Sequence, residues 1–186
     1  YYLFVDTETT GLNYNDNSKV AKNVLLEIAY ILTDSSLVPL MKDSCVIGYT
    51  PADIDNLMND YVYDMHSDNG LLDEVYESTL TRQAVDNIIT TGLETFFNDR
   101  PYKLIIAGNT VHFDKEIIRR ELPHLHSLLH FRNLDVSSVR EYLCISGNEE
   151  LTNQATDKKF NHRAMDDIEE TIEELSHYLE FIGVGK

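Results

Sequence analysis

Asp6 and Glu8 close an otherwise apolar run, Tyr2-Leu3-Phe4-Val5, inside the segment VDTETTGL at 5–12. Residues i and i+2 of a strand project to the same side, so both carboxylates point one way. Like charges that close repel unless a proton or a cation sits between them. A hard, oxygen-seeking divalent ion such as Mg²⁺ or Mn²⁺ is the natural guest. A third acid, Asp114, follows a second apolar run, Leu-Ile-Ile-Ala at 104–107, across a Gly108-Asn109-Thr110 turn. A histidine and two more acids occur together in HRAMDD at 162–167. Taken singly, each has a plainer explanation: a strand ending at the surface, or first-turn acids favoured by the helix dipole. Taken together, acids at the ends of buried elements plus one titratable base match what metal-assisted phosphodiester hydrolysis requires. The metals neutralise phosphate charge and lower the pKa of a water, and the base takes its proton.

The spacing of the last group constrains its geometry. His162 and Asp167 are five residues apart, about 140° of rotation on a helix. They share a site only if His162 lies at or before the first turn. Spacing alone does not choose between Asp166 and Asp167. His124, His126 and His130 form a second cluster, with the last two at i, i+4. Zinc would suit such a pair, but no Cys or Glu pattern accompanies it, and surface or dimer-contact histidines are the simpler account.

The elements that must hold these groups follow from the apolar periodicity. Strands are predicted over 2–5, 25–33 and 44–49, joined as an antiparallel meander, and again over 104–107 and 133–136. The clearest helix runs over 81–98, with Val85, Ile88, Ile89, Leu93, Phe96 and Phe97 as its apolar stripe. Shorter helices are expected from Pro51, over 70–78, over 114–121, from Pro123, and from Ser137 or Ser138 to Leu143. A final helix over 162–181 carries Met165, Ile168, Ile172, Leu175 and Leu179 on its core stripe. Segments 13–23, 56–69 and 147–161 read as irregular. This order predicts one α/β domain over residues 1–186 with a mixed central β-sheet flanked by α-helices.

Composition narrows the function. The chain has 186 residues, 42% hydrophobic and 25% charged, an ordinary globular balance that excludes a disordered, collagen-like or coiled-coil chain. Acids outnumber bases 32 to 15, for a formal charge of −17. Such a field opposes a grip on long nucleic acid, which depends on Lys and Arg displacing counterions. It leaves open a short anionic substrate, or one reached through bound cations. No run approaches the ~20 apolar residues of a membrane span, so no membrane partner is expected. Cys45 and Cys144 show no spacing motif, which points to a reducing compartment. The expected location is intracellular: the cytoplasm, or the mitochondrion of a eukaryote if a leader preceded Tyr1.

VDTETTGL at 5–12, AGNTVHFDKEII at 107–118 and HRAMDD at 162–167 resemble the three motifs of the DEDDh 3′→5′ exonucleases. HFRNLDVSSVREYL at 130–143 and NDYVYDMHSDNGLLDEVYEST at 59–79 resemble stretches of one branch, the oligoribonucleases, and the likeness spans nearly the whole chain. The resemblance implies a ribonuclease H-like fold. It also implies two divalent ions, Mg²⁺ or Mn²⁺, on Asp6, Glu8, Asp114 and Asp167, with His162 as general base. The third motif, His then Asp five positions on, selects Asp167 over Asp166. In that branch short RNA oligonucleotides, dinucleotides included, are degraded to 5′-mononucleotides by a homodimer. Leu12 and an aromatic residue wedge the bases, and the family's Trp falls on Tyr61. Capping of the 5′ phosphate falls on His66, Thr110, Arg132 and Ser137. Thr9, Phe113 and Asn133 depart from the branch's usual residues. Two other readings remain open at this point: a DEDDh exonuclease acting on DNA or longer RNA 3′ ends, and a catalytically idle binding module of the same fold.

Overall fold

The computed structural model describes residues 1–11, 23–154 and 162–183. Its centre is β1 (Tyr2–Thr9), which pairs antiparallel with β2 (Leu25–Thr33) on one side. β3 (Pro39–Val46) adds antiparallel to β2 and completes the expected meander. The chain then passes through α1 (Pro51–Ile54), a 3₁₀ turn at Asp55–Leu57, α2 (Asp60–Asp68), α3 (Leu71–Glu77) and the long α4 (Arg82–Phe97). β4 (Leu104–Gly108) returns parallel to β1. After α5 (His112–Glu121) and α6 (Pro123–Leu128), β5 (Leu129–Asp135) pairs parallel with β4. α7 (Val136–Ile145), α8 (Glu149–Gln154) and α9 (Ala164–Ile182) finish the described chain. The sheet order β3-β2-β1-β4-β5 is the mixed sheet that the sequence predicts.

β2 is buried along all nine residues, which explains its unbroken apolar run. β1 alternates between two cores. Leu3 and Val5 pack with Val85, Ile89, Leu93 and Phe97 of α4 and with Ile117 and Ile118 of α5. Phe4 packs on the other face with Val136 and Leu143 of α7 and Ile168, Leu175 and Tyr178 of α9. Continuing the alternation past Val5 sends Asp6 and Glu8 to the α9 face and Thr7 to the α5 face. The core of the sheet therefore fixes where the acids point.

Several elements differ from the sequence reading for identifiable reasons. β3 begins at Pro39, not 44, and most of it is exposed. It is an edge strand, where a leading Pro is tolerated and the apolar alternation is not required. The segment 56–69, read as irregular, contains α2, a polar helix whose first turn is capped by Asn59, Oδ1 accepting from Val62 N at 2.9 Å. α8 falls within the 147–161 stretch read as a loop. On α4, Ile88 is 42% exposed and does not join the stripe. On α9 the buried face is Ala164, Ile168, Thr171, Glu174, Leu175 and Tyr178. The expected stripe packs in the same core, with Ile168 and Leu175 buried and Met165, Ile172 and Leu179 partly buried against them.

Candidate active site

The end of β1 and the first turn of α9 meet. Ligand-capable oxygens of Asp6, Glu8 and Asp167 all lie within 4.8 Å of one another. The helix begins at Ala164 with Arg163 as its N-cap residue, so Asp167 falls in the first turn, over the strand end. Asp166 is not part of the group. Asp114 arrives from the other side of the strand, in the first turn of α5. It is 4% exposed, and its Oδ1 accepts a 2.7 Å hydrogen bond from the Thr7 hydroxyl. The Thr7 side chain thus ties the fourth acid to the strand that carries the first two.

These acids make one another difficult to ionise. Burial pushes the Asp6 carboxyl well above its ordinary range, and Asp114, Glu8 and Asp167 push it further. Glu8 is raised to about 8, by burial first and then by Asp167 and Glu27, with Arg163 opposing. Asp114 is raised to about 7, again by burial, against the lowering effect of the Thr7 hydrogen bond. A cluster of half-buried carboxylates beside the buried Asp114, with this charge imbalance, is held together by protons or by cations. The donor set is all oxygen, which suits Mg²⁺ or Mn²⁺ rather than a soft metal. The residues present therefore fit divalent ions.

His162 lies outside α9, in the left-handed region at φ +46°. This meets the geometric condition set by the five-residue spacing. A non-glycine residue held there costs on the order of 1–3 kcal/mol unless the surroundings over-determine it. Here they do. The His162 carbonyl accepts a 2.6 Å hydrogen bond from Asn69 Nδ2, and the next residue, Arg163, is fixed by two carboxylates, Glu27 and Glu74.

The residues expected to hold substrate are spread more widely. Tyr61 stands on α2 with 71% of its surface exposed, open for stacking. Thr110 is left-handed at φ +52°; its N–H donates to Ser137 Oγ at 3.1 Å, and Ser137 Oγ donates to Asn109 Oδ1 at 3.1 Å. Thr110 and Ser137 line a groove of about 510 Å³ with His112, Asp135, Tyr142 and Ile145. Arg132 is exposed on β5, its guanidinium 5.5 Å from the centre of the Phe131 ring. His66 does not reach this surface. It is fully buried, with Nε2 2.9 Å from the Thr9 carbonyl and 4.0 Å from the Glu8 carboxylate. Leu12 lies outside the described residues. Among the described residues, His124, His126 and His130 belong to no group of three metal-capable side chains.

Sequence reasoning missed the supports: Thr7, Asn69, Asn109, and the Arg163–Glu27–Glu74 group. One signal was available. Glu27 is the single charged residue in Leu-Leu-Glu-Ile-Ala-Tyr-Ile-Leu-Thr at 25–33, and a charge in a fully buried strand implies a partner.

The RNase_T exonuclease family model matches residues 3–175. The chain is 35% identical over 188 aligned positions to the oligoribonuclease of Tropheryma whipplei, covering 100% of this chain and 95% of the relative. It is 34% identical to the oligoribonuclease of Cutibacterium acnes, over 98% of this chain and 86% of that one. It is also 34% identical to the mitochondrial oligoribonuclease of Homo sapiens, over 95% and 70%. Among solved structures, E. coli Exonuclease I in complex with a dT13 oligonucleotide superposes with a TM-score of 0.59 at 18% identity. That match covers 94% of this chain and only 40% of the other, so it speaks to the shared fold. No helix among the described residues is long and apolar enough to cross a membrane.

Proposed function

We propose that this chain, which belongs to the RNase_T exonuclease family and within it to the oligoribonucleases, degrades short oligoribonucleotides, dinucleotides included, to 5′-mononucleotides. As a 3′→5′ exoribonuclease it works from the 3′ end. The observation that carries the reading is the convergence of Asp6, Glu8 and Asp167, with Asp114 tied alongside through Thr7. In this reading the four acids hold two divalent ions, Mg²⁺ or Mn²⁺, and residues 1–186 act as one exonuclease domain. When bound, such ions neutralise phosphate charge and lower the pKa of a water.

The chain's own groups supply the rest. His162 takes the proton of the water that attacks the scissile phosphorus. The 3′ oxygen of the penultimate nucleotide leaves, and the terminal nucleotide is released with its 5′ phosphate. Tyr61 and Leu12 stack against the bases. Stacking is worth about 1–3 kcal/mol per base and needs no basic track, which reconciles an RNA substrate with a net charge of −17. Thr110 and Ser137, with Arg132, cap the 5′ phosphate. The exposure of β5, which carries Arg132 at the sheet edge, supports a homodimer in which a partner completes the cap. His66, buried beneath Glu8, supports the strand end and not the phosphate directly.

Product analysis on a labelled series from dinucleotide to twenty-mer, with Mn²⁺ or Mg²⁺, tests the proposal. The expected result is fastest turnover on the shortest RNAs, with 5′-mononucleotides as the sole products. Faster cleavage of the twenty-mer, or of DNA, would instead favour an exonuclease of longer 3′ ends.

A further inference from the structure

Five residues apart, His162 and Asp167 can serve one site only if the chain leaves the helical path before Ala164, as it does, and something must hold it there. The dipeptide His162-Arg163 is gripped from two sides. On one side, Asn69 joins α2 to α3: its Nδ2 donates to the His162 carbonyl at 2.6 Å, while its Oδ1 accepts from Leu71 N at 3.0 Å. On the other, the Arg163 guanidinium bridges two elements. It donates from Nε and Nη2 to Glu27 of β2 at 3.2 Å each, and from Nη1 and Nη2 to Glu74 of α3 at 2.8 and 3.0 Å.

Glu27 is unusual in itself. It is 1% exposed, it faces Glu8 directly across the β1–β2 ladder, and its oxygens also accept from Ser44 Oγ and from the N–H of Ala164. An acid beside the metal-capable cluster would be expected to join it. Instead its oxygens are turned to a guanidinium and to the first N–H of α9. The planar fork of Arg matches such paired carboxylates, and Lys would not reproduce it.

We propose that Arg163, locked by Glu27 and Glu74 and assisted by Asn69, is the positioning device for His162. It holds the imidazole-bearing residue in its left-handed conformation at the helix start. With its guanidinium engaged by Glu27 and Glu74, Arg163 acts through His162. The inference rests on the reading of His162 as general base, and a double-mutant cycle separates the two.

The cycle compares wild type, Arg163→Gln, His162→Ala and the pair, with kcat and KM measured on a dinucleotide and Mn²⁺ affinity by calorimetry. Arg163→Gln should lower kcat on the order of 10²-fold, the scale of a misplaced catalytic group, with KM and Mn²⁺ affinity nearly unchanged. On top of His162→Ala it should lower kcat hardly at all, because the group it positions is gone. The double change Arg163→Gln/Glu27→Gln, which leaves no unpaired buried carboxylate, should behave the same way. Asn69→Asp keeps the Leu71 cap, repels the His162 carbonyl and leaves the ion pairs untouched, so it carries the same cycle if the Arg163 variants do not fold. Full multiplicative losses in the His162→Ala background, or a parallel loss of Mn²⁺ affinity, would overturn the positioning role. Wild-type kcat in His162→Ala alone would overturn the general-base reading instead.

Discussion

Two acid sites lie along α9, one half-buried and one buried, and they are opposites. At its first turn, Asp167 meets Asp6 and Glu8, and most of the charges around them are other acids. Two turns on, Glu174 is 2% exposed, yet its oxygens accept from Tyr178 OH at 2.7 Å and Asn109 Nδ2 at 3.2 Å. Glu27, paired with Arg163, belongs with Glu174. A buried carboxylate is therefore not by itself a sign of chemistry. Where the fold supplies donors, the acid is structural. Where it supplies more acids, the site is built for something that arrives from outside, and the fold bears the repulsion until it does.

The largest test of this contrast is Asp6→Asn. It removes one charge from the crowded site, so turnover should fall by at least about three orders of magnitude, while the metal-free protein melts at a higher temperature. Loss of activity together with loss of metal-free stability would mean that Asp6 is structural like Glu174.

The pH dependence should also divide the two sites. Glu8 and Asp114 have folded values raised to about 8 and about 7, from 4.5 and 3.8. Their protonated forms are favoured by the fold, so the folded state binds more protons than the unfolded chain between these limits. The stability contributed by these two groups is then fullest below about pH 4 and is lost as pH rises toward 8. Melting in EDTA at pH 5.5 and pH 8 should show a lower midpoint at pH 8, by several kcal/mol in stability, with Mn²⁺ removing most of the difference. A flat or rising midpoint in EDTA would contradict the crowding.

Glu174→Gln should do the reverse of Asp6→Asn. It weakens one buried and one part-buried hydrogen bond and should destabilise by about 1–3 kcal/mol, with kcat on a dinucleotide kept within a few-fold. A large fall in kcat at unchanged stability would make Glu174 part of the reaction. The smallest effect is expected at Tyr61, which is outside both sites and exposed. Tyr61→Trp enlarges the stacking surface and should lower KM for a dinucleotide a few-fold without moving the melting midpoint; an unchanged KM would remove Tyr61 from the substrate site.

The sequence made the acids legible because their positions are tied to strong local patterns. Asp6 and Glu8 end a buried strand, and two-residue alternation alone puts them on one side. The five-residue gap between His162 and Asp167 set a condition, that His162 sit at or before the first turn, and the start of α9 at Ala164 meets it although the helix is expected from 162. The supports were less visible because they arise from tertiary pairing. Nothing local in Asn69 or Glu74 indicates that each will reach the chain at 162–163. α2 escaped notice because its face is polar, and Glu174 because its partners Asn109 and Tyr178 lie on either side of it in sequence, one of them 65 residues away. The buried position of His66 likewise depends on where α2 packs against Thr9, which its own neighbours do not encode.

The central claim is that the acids at the end of β1 and the start of α9 are a cation site. Calorimetric titration of the metal-free protein with Mn²⁺ at pH 7, repeated in two buffers of different ionisation enthalpy, addresses it most directly. The account predicts two bound ions per chain, net release of protons on binding, and loss of both in Asp6→Asn. Absence of Mn²⁺ binding by the folded wild-type protein, or binding that survives Asp6→Asn undiminished, would contradict it.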